Sequence, residues 1–303
     1  MAKRPKPVHQ MTEAQFENMF PIGDDDASKA YLKARRWPDG VRCPRCGNPA
    51  VYDLPSRKWH WQCPKCAPGG NTGYRFSVIA GTIFENTNKP LRQWFKVVHL
   101  MTTSKKGISA LQIKRQLGFG SYETAWSMCH KIRAALIQPQ EKLGGIVEVD
   151  ETFIGGKDSN RHWYKKTHVR GGADKKSIIG AVQRKGNVVT RVLERVTKKA
   201  AFDFVNEVVS DKVSLLATDA WDGYDKLGEK YPHGTVDHQA KQYVIGAIHT
   251  NTIEGFWSIF KRGVVGTFHK MSAKYMPLYV AEFQFRYNNR FNPDIFGAVI
   301  NGC

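Results

Sequence analysis

Two Cys-x-x-Cys pairs, Cys43-Pro44-Arg45-Cys46 and Cys63-Pro64-Lys65-Cys66, stand 16 residues apart. They constrain the chain more tightly than any other feature. The two-residue gap lets both sulfurs of a pair reach one ion, and two such pairs complete a tetrahedron. Two disulfides are the competing arrangement. They are disfavoured because the basic start Met1-Ala2-Lys3-Arg4-Pro5-Lys6-Pro7 is followed by no apolar stretch and gives no secretory signal. Four thiolates leave no open coordination position, so the zinc they imply is structural rather than catalytic. Segments 50–52 and 58–62 read as a β-hairpin, which gives a zinc ribbon over 39–86. Cys129 and Cys303 have no partner pattern; Cys129, beside Trp126 and Met128, reads as a small core residue.

The 303 residues carry a formal net charge of +19. An excess of that size implies an anionic partner, and nucleic acid is the first choice over a merely basic surface. No apolar run approaches about 18 residues, so neither a membrane-spanning helix nor a membrane partner is expected, and the reading is of a cytoplasmic, nucleoid-associated chain. Residues 1–38 read as a helical segment, with Thr12 as a helix N-cap and Asp24-Asp25-Asp26 capping the next helix. Residues 87–140 hold a helix at 91–103, then a helix, a Gly118 turn and a second helix starting near Ser121. That order is the helix-turn-helix pattern. An ordinary helical hairpin explains it almost as well; the ribbon and the charge favour DNA, with Tyr122, Glu123, Ser127 and Lys131 facing it. Residues 134–145 form a boundary, and 146–303 form the second large domain.

That domain opens on an apolar, β-branched run, 146–154, interrupted by Asp150 and Glu151. Side chains alternate along a strand, so the two acids face opposite ways and one must enter a core face. A carboxylate there is costly unless a cation meets it. Salt bridging is the ordinary explanation for one such acid, but two more follow. Leu215-Leu216-Ala217-Thr218-Asp219 again ends an apolar run on a carboxylate. Segment 249–262 reads as a helix with Ile253, Phe256, Trp257, Phe260 and Val264 on one stripe and Asn251, Glu254, Ser258 and Lys261 on another. Three oxygen donors from two strands and a helix suit Mg2+ or Mn2+. Two such ions about 4 Å apart would clamp the attacking and leaving oxygens of a phosphoryl displacement. Lys261 and Arg262 would grip the phosphate.

Elsewhere in the domain, 177–182 and 187–193 read as a hairpin around Lys185-Gly186. A helix follows near 200–206, another near 224–231, and a strand near 235–238. The loop 155–176 holds seven Lys or Arg against two Asp, with His162, Trp163, Tyr164 and His168 interleaved. Lys165, Lys166 and Arg170 there are candidate contacts to a DNA strand; a solvated loop is the alternative.

Val149-Asp150-Glu151-Thr152-Phe153-Ile154-Gly155-Gly156-Lys157, Thr218-Asp219-Ala220-Trp221-Asp222-Gly223-Tyr224 and the segment 249–262 together resemble the acid blocks of bacterial insertion-sequence transposases with a DDE-type, ribonuclease H-like domain. Within these, the chain most resembles the ISXO-like superfamily numbered fifteen-ninety-five, which also carries an N-terminal zinc ribbon. The resemblance implies a multidomain α+β chain: ribbon and helix-turn-helix, then a mixed α/β catalytic domain. It implies two-metal hydrolysis at element ends and strand transfer, with terminal inverted repeats and target DNA as partners and a homodimer or larger active assembly. Asp150 would bridge both ions, with Asp219 and Glu254 holding one each and Asn251 supporting Glu254. Lys261, seven residues after Glu254, fits the group's spacing. Two other classes remain open: a DNA-binding regulator whose acids are structural, and a nuclease of the same fold that never joins strands.

Overall fold

The computed structural model describes residues 11–66, 73–155, 162–165, 175–236 and 249–303. They fall into two units, Met1–Leu136 with Arg290–Cys303, and Ile137–Asn289. The sequence reading carries the second domain to 303. The last 14 residues pack instead into the first unit.

The first unit begins with α1 (Glu13–Met19) and α2 (Asp25–Arg36). Thr12 caps α1 in a reciprocal box with Gln15. Of the acid triplet, Asp24 caps α2, Asp25 accepts from the backbone N–H of Arg92 at 2.9 Å, and Asp26 accepts from the Trp59 indole at 2.6 Å. Capping therefore occupies one acid, while the other two tie α2 to neighbouring segments. The ribbon is a three-stranded antiparallel sheet of β1 (Tyr52–Asp53), β2 (His60–Cys63) and β3 (Tyr74–Ser77), in that order. Then follow α3 (Leu91–Thr103), α4 (Ala110–Leu117) and α5 (Tyr122–Ala135). Gly118 ends α4 in the left-handed region at φ 64°, a conformation that favours glycine, so the chain can turn at once into α5.

The second unit is built on a five-stranded sheet of β4 (Ile146–Ile154), β5 (Lys176–Gln183), β6 (Val188–Leu193), β7 (Leu215–Asp219) and β8 (His233–Val236). The order is β6-β5-β4-β7-β8, and β5 alone runs against the rest. The strand carrying Asp150 is therefore central. One face packs on α6 (Lys198–Val208) and a 3-10 helix, Asp222–Glu229, through Val147, Val149, Phe204, Leu216 and Tyr224. The other packs on α7 (Asn251–Gly263) and α8 (Met276–Asn288) through Ile154, Ile178, Ile253, Phe256, Trp257 and Phe283. Edge strand β6 would otherwise expose unpaired backbone groups. Gln284 and Asn288 of α8 accept from the N–H groups of Thr190 and Val188, both at 2.8 Å.

The chain ends in α9 (Ile295–Gly302), capped by Asp294. Its apolar residues Ile295, Phe296, Val299 and Ile300 are all buried in the first unit. Phe296 meets Phe16, Phe20 and Phe95 at ring separations of 6.2, 5.7 and 5.6 Å. Asp294 pairs with Arg35. Burial of this aromatic cluster outweighs chain order, which is why the terminus returns to the first unit. Among the described residues, no helix is long and apolar enough to cross a membrane.

Candidate metal and nucleic-acid site

The four ribbon sulfurs come together. All lie within 4.8 Å of one another, with Cys43 to Cys66 at 3.9 Å and Cys46 to Cys63 at 3.7 Å. A zinc–sulfur bond of about 2.3 Å in a tetrahedron demands sulfur separations near 3.8 Å, whereas a disulfide needs about 2 Å. The four cysteines therefore fit zinc. The Asn48 amide points at Cys63 Sγ from 3.8 Å and supports that sulfur from outside the tetrahedron.

In the second unit, alternation along β4 separates the adjacent acids as expected. Glu151 turns to the α6 face and accepts from the buried Tyr224 hydroxyl at 2.7 Å. Asp150 turns to the α7 face and lines an open cleft of about 490 Å3 with Glu254, Trp257, Ser258, Lys261, Arg262 and Val265. Helical spacing puts Glu254, Ser258 and Lys261 on one exposed side of α7 while Ile253, Phe256, Trp257 and Phe260 are buried. Asp219 ends β7 and is absent from the cleft lining. The parallel register pairs Glu148 with Ala217, so two residues further on Asp219 falls beside Asp150 on the same face.

The electrostatics agree with that placement. Burial, then the charges of Glu151, Asp219 and Glu254, push the Asp150 carboxyl up to about 7. Crowded carboxylates of this kind are relieved by a hard cation, and the donors are all oxygens. Among the described residues, the four cysteines form the only group of three or more such side chains with all ligand atoms within 4.8 Å. Asp150, Asp219 and Glu254 do not form such a group.

The approach of α7 to the sheet depends on Gly180, the β5 residue paired with Asp150. A Cβ there would meet the buried Trp257 ring at 2.7 Å and Ile253 at 3.2 Å. Gly180→Ala is therefore expected to destabilise the unit by about 1–3 kcal/mol through overpacking, read as a lowered denaturation midpoint. An unchanged midpoint would show that α7 can move aside freely.

The other expected site residues are dispersed. Asn251 is the exposed first residue of α7, one turn before Glu254 and outside the cleft lining. Tyr122, Glu123, Ser127 and Lys131 are exposed along α5, in the first unit. Glu123 is held by the hydroxyl of Ser121, which also caps α5. Lys165 closes a short helical turn, Trp163–Lys165, where Trp163 is 82% exposed. Lys166 and Arg170 lie outside the described residues. One contributor escaped the sequence reading: Glu148, fully buried on the same face as Asp150. Its only signal was its position two residues before Asp150 in an apolar run.

Residues 142–288 match the ISXO2-like transposase domain, and residues 23–68 match the transposase zinc-ribbon domain. An uncharacterized protein in transposable element ISH50 of Halobacterium salinarum is 26% identical over 242 residues, covering 75% of this chain and 79% of that one. A chain of the simian T-cell lymphotropic virus intasome in complex with PP2A regulatory subunit B56 gamma aligns with 58% of this chain and 63% of that one, at 14% identity and a TM-score of 0.31. The ribbon and the acid-bearing sheet match parts of the same kind of protein, and the chain belongs to the ISXO2-like transposase family.

Proposed function

We propose that the chain hydrolyses phosphodiester bonds at the ends of an insertion sequence and joins the freed ends to target DNA. The observation that carries this reading is the meeting of Asp150 and Glu254 with Lys261 and Arg262 in one cleft, beside Asp219. The strand order, with a single reversed strand next to the central one, supports a ribonuclease H-like fold. The cleft also borders the point between β4 and β7 where the winding changes direction, the common place for a site in such sheets.

Asp150, Asp219 and Glu254 would hold two Mg2+ or Mn2+ ions. When bound, such ions lower the pKa of water and offset charge developing on phosphoryl oxygens. Lys261 and Arg262 place two positive charges where a phosphate enters, and the open cleft admits a DNA backbone. In the first reaction a water oxygen bonds to phosphorus, the 3′ oxygen leaves, and the element end retains a 3′-OH. In the second, that 3′-OH bonds to a target phosphorus and displaces the target's own 3′ oxygen. Residues 110–135, with exposed Tyr122, Glu123, Ser127 and Lys131 on α5, support a helix-turn-helix contact to duplex DNA, and the acting assembly would be a homodimer or larger.

The test is a strand-transfer assay with purified protein, a labelled duplex ending in the element's terminal repeat, and a target plasmid. Mg2+-dependent joined product is expected. Nicking without joining would leave the nuclease reading, and neither activity would leave the regulator. Lys261→Ala is expected to raise the DNA concentration for half-maximal cleavage by about tenfold, the loss of one charge-assisted phosphate contact. An unchanged requirement would remove Lys261 from the site.

A further inference from the structure

The buried acid Glu148 is spent on the helix that carries Glu254. Alternation on β4 puts it on the α7 face with Asp150. Its Oε1 accepts from Arg184 Nε at 2.7 Å and Thr252 Oγ1 at 2.8 Å, and its Oε2 from the backbone N–H groups of Thr252 at 2.7 Å and Ile253 at 3.1 Å. Those two N–H groups belong to the first turn of α7, where no intrahelical acceptor exists. Thr250, at the N-cap, makes no side-chain cap bond; its hydroxyl donates to Glu254 Oε1 at 2.9 Å. Arg184 also donates to the His249 carbonyl at 3.0 Å, holding the chain just before the helix. His249 Nδ1 stands 3.3 Å from Glu148 Oε1 without hydrogen-bond alignment.

We propose that Glu148 is a positioning residue that sets Glu254 relative to Asp150. One strand carries the first acid and, two residues earlier, the cap that fixes where the helix of the third acid begins. With its lone pairs taken by four donors, Glu148 stays out of the cation-holding set although it shares the face of Asp150. The inference rests on Asp150 and Glu254 being that set. Glu148→Gln keeps the shape but turns an amide N–H2 towards donors, so the cap cannot be completed.

The test uses full-length, zinc-loaded protein in four forms: wild type, E148Q, T252V and D150N. Three quantities are read: amide exchange in the first turn of α7, Ca2+ affinity by calorimetry, and the Mn2+ concentration for half-maximal nicking. For E148Q, exchange in that turn is expected to quicken by about tenfold. Ion affinity should fall by about tenfold, and the Mn2+ requirement should rise to match. Zinc content and exchange in α8 should stay as in wild type. T252V removes one donor of the four and should move all three quantities the same way by about threefold; it decides the matter alone if E148Q does not fold. A first turn exchanging as in wild type, or an unchanged ion affinity, overturns the proposal. D150N that still nicks overturns the underlying reading instead, so the two failures are told apart.

Discussion

Asp150→Asn should abolish metal-dependent cleavage while zinc content and DNA binding stay at wild-type levels. Metal-ion stabilisation of developing charge is worth several kcal/mol, so the rate should fall by about a thousandfold or more. A purely structural acid would behave otherwise, because its loss would weaken folding. Here the sign runs the other way. Burial and the surrounding carboxylates raise Asp150 to about 7 in the folded protein, whereas an unfolded aspartate titrates near about 3.9. The folded state therefore binds the proton more tightly. With no ion at the acids, this group's contribution to stability is present at low pH and is lost as pH rises through that window. In zinc-loaded protein free of other divalent ions near pH 8, D150N should thus melt above wild type, and the gap should shrink on acidification towards about pH 5. A variant that cleaves, or that melts well below wild type, contradicts the role given to Asp150.

The second large effect concerns the ribbon. Cys63 is fully buried at the end of β2, close to Trp61, which packs against Trp37 and Phe76. A three-stranded sheet with strands of 2, 4 and 4 residues buries too little to hold itself. Structural zinc in such modules contributes about 10–16 kcal/mol in apparent terms. Cys63→Ala should therefore remove the bound zinc and unfold β1 to β3. The measurements are metal content by mass spectrometry and the red shift of Trp61 emission. Retained zinc with unchanged emission would contradict a structural ion at these cysteines.

The features legible in the sequence are those set by local periodicity. The two-residue gap within each cysteine pair fixes the zinc tetrahedron. Period two separates Asp150 from Glu151, and period 3.6 gathers Glu254, Ser258 and Lys261 on one side of α7. What sequence could not supply were partnerships over long separations. Glu148 reads like any acid in a strand, because its donors at Thr252 and Ile253 come 104 and 105 residues later. The segment of Asp294, Ile295, Phe296, Val299 and Ile300 drew no reading of its own from the sequence, and nothing local says that it joins Phe16 and Phe20. Gly180 looks like a weak point in a strand until the Trp257 ring is seen against it.

On the proposed mechanism Asp150, Asp219 and Glu254 together hold divalent cations. Its most direct test is crystallographic: crystals soaked in Mn2+, with anomalous difference maps recorded at the manganese edge. Density bounded by these three carboxylates and separate from the zinc at the cysteines is expected, and it should be absent in D150N. Manganese only at the cysteines or on the molecular surface, with the three acids engaged by other side chains, would contradict it.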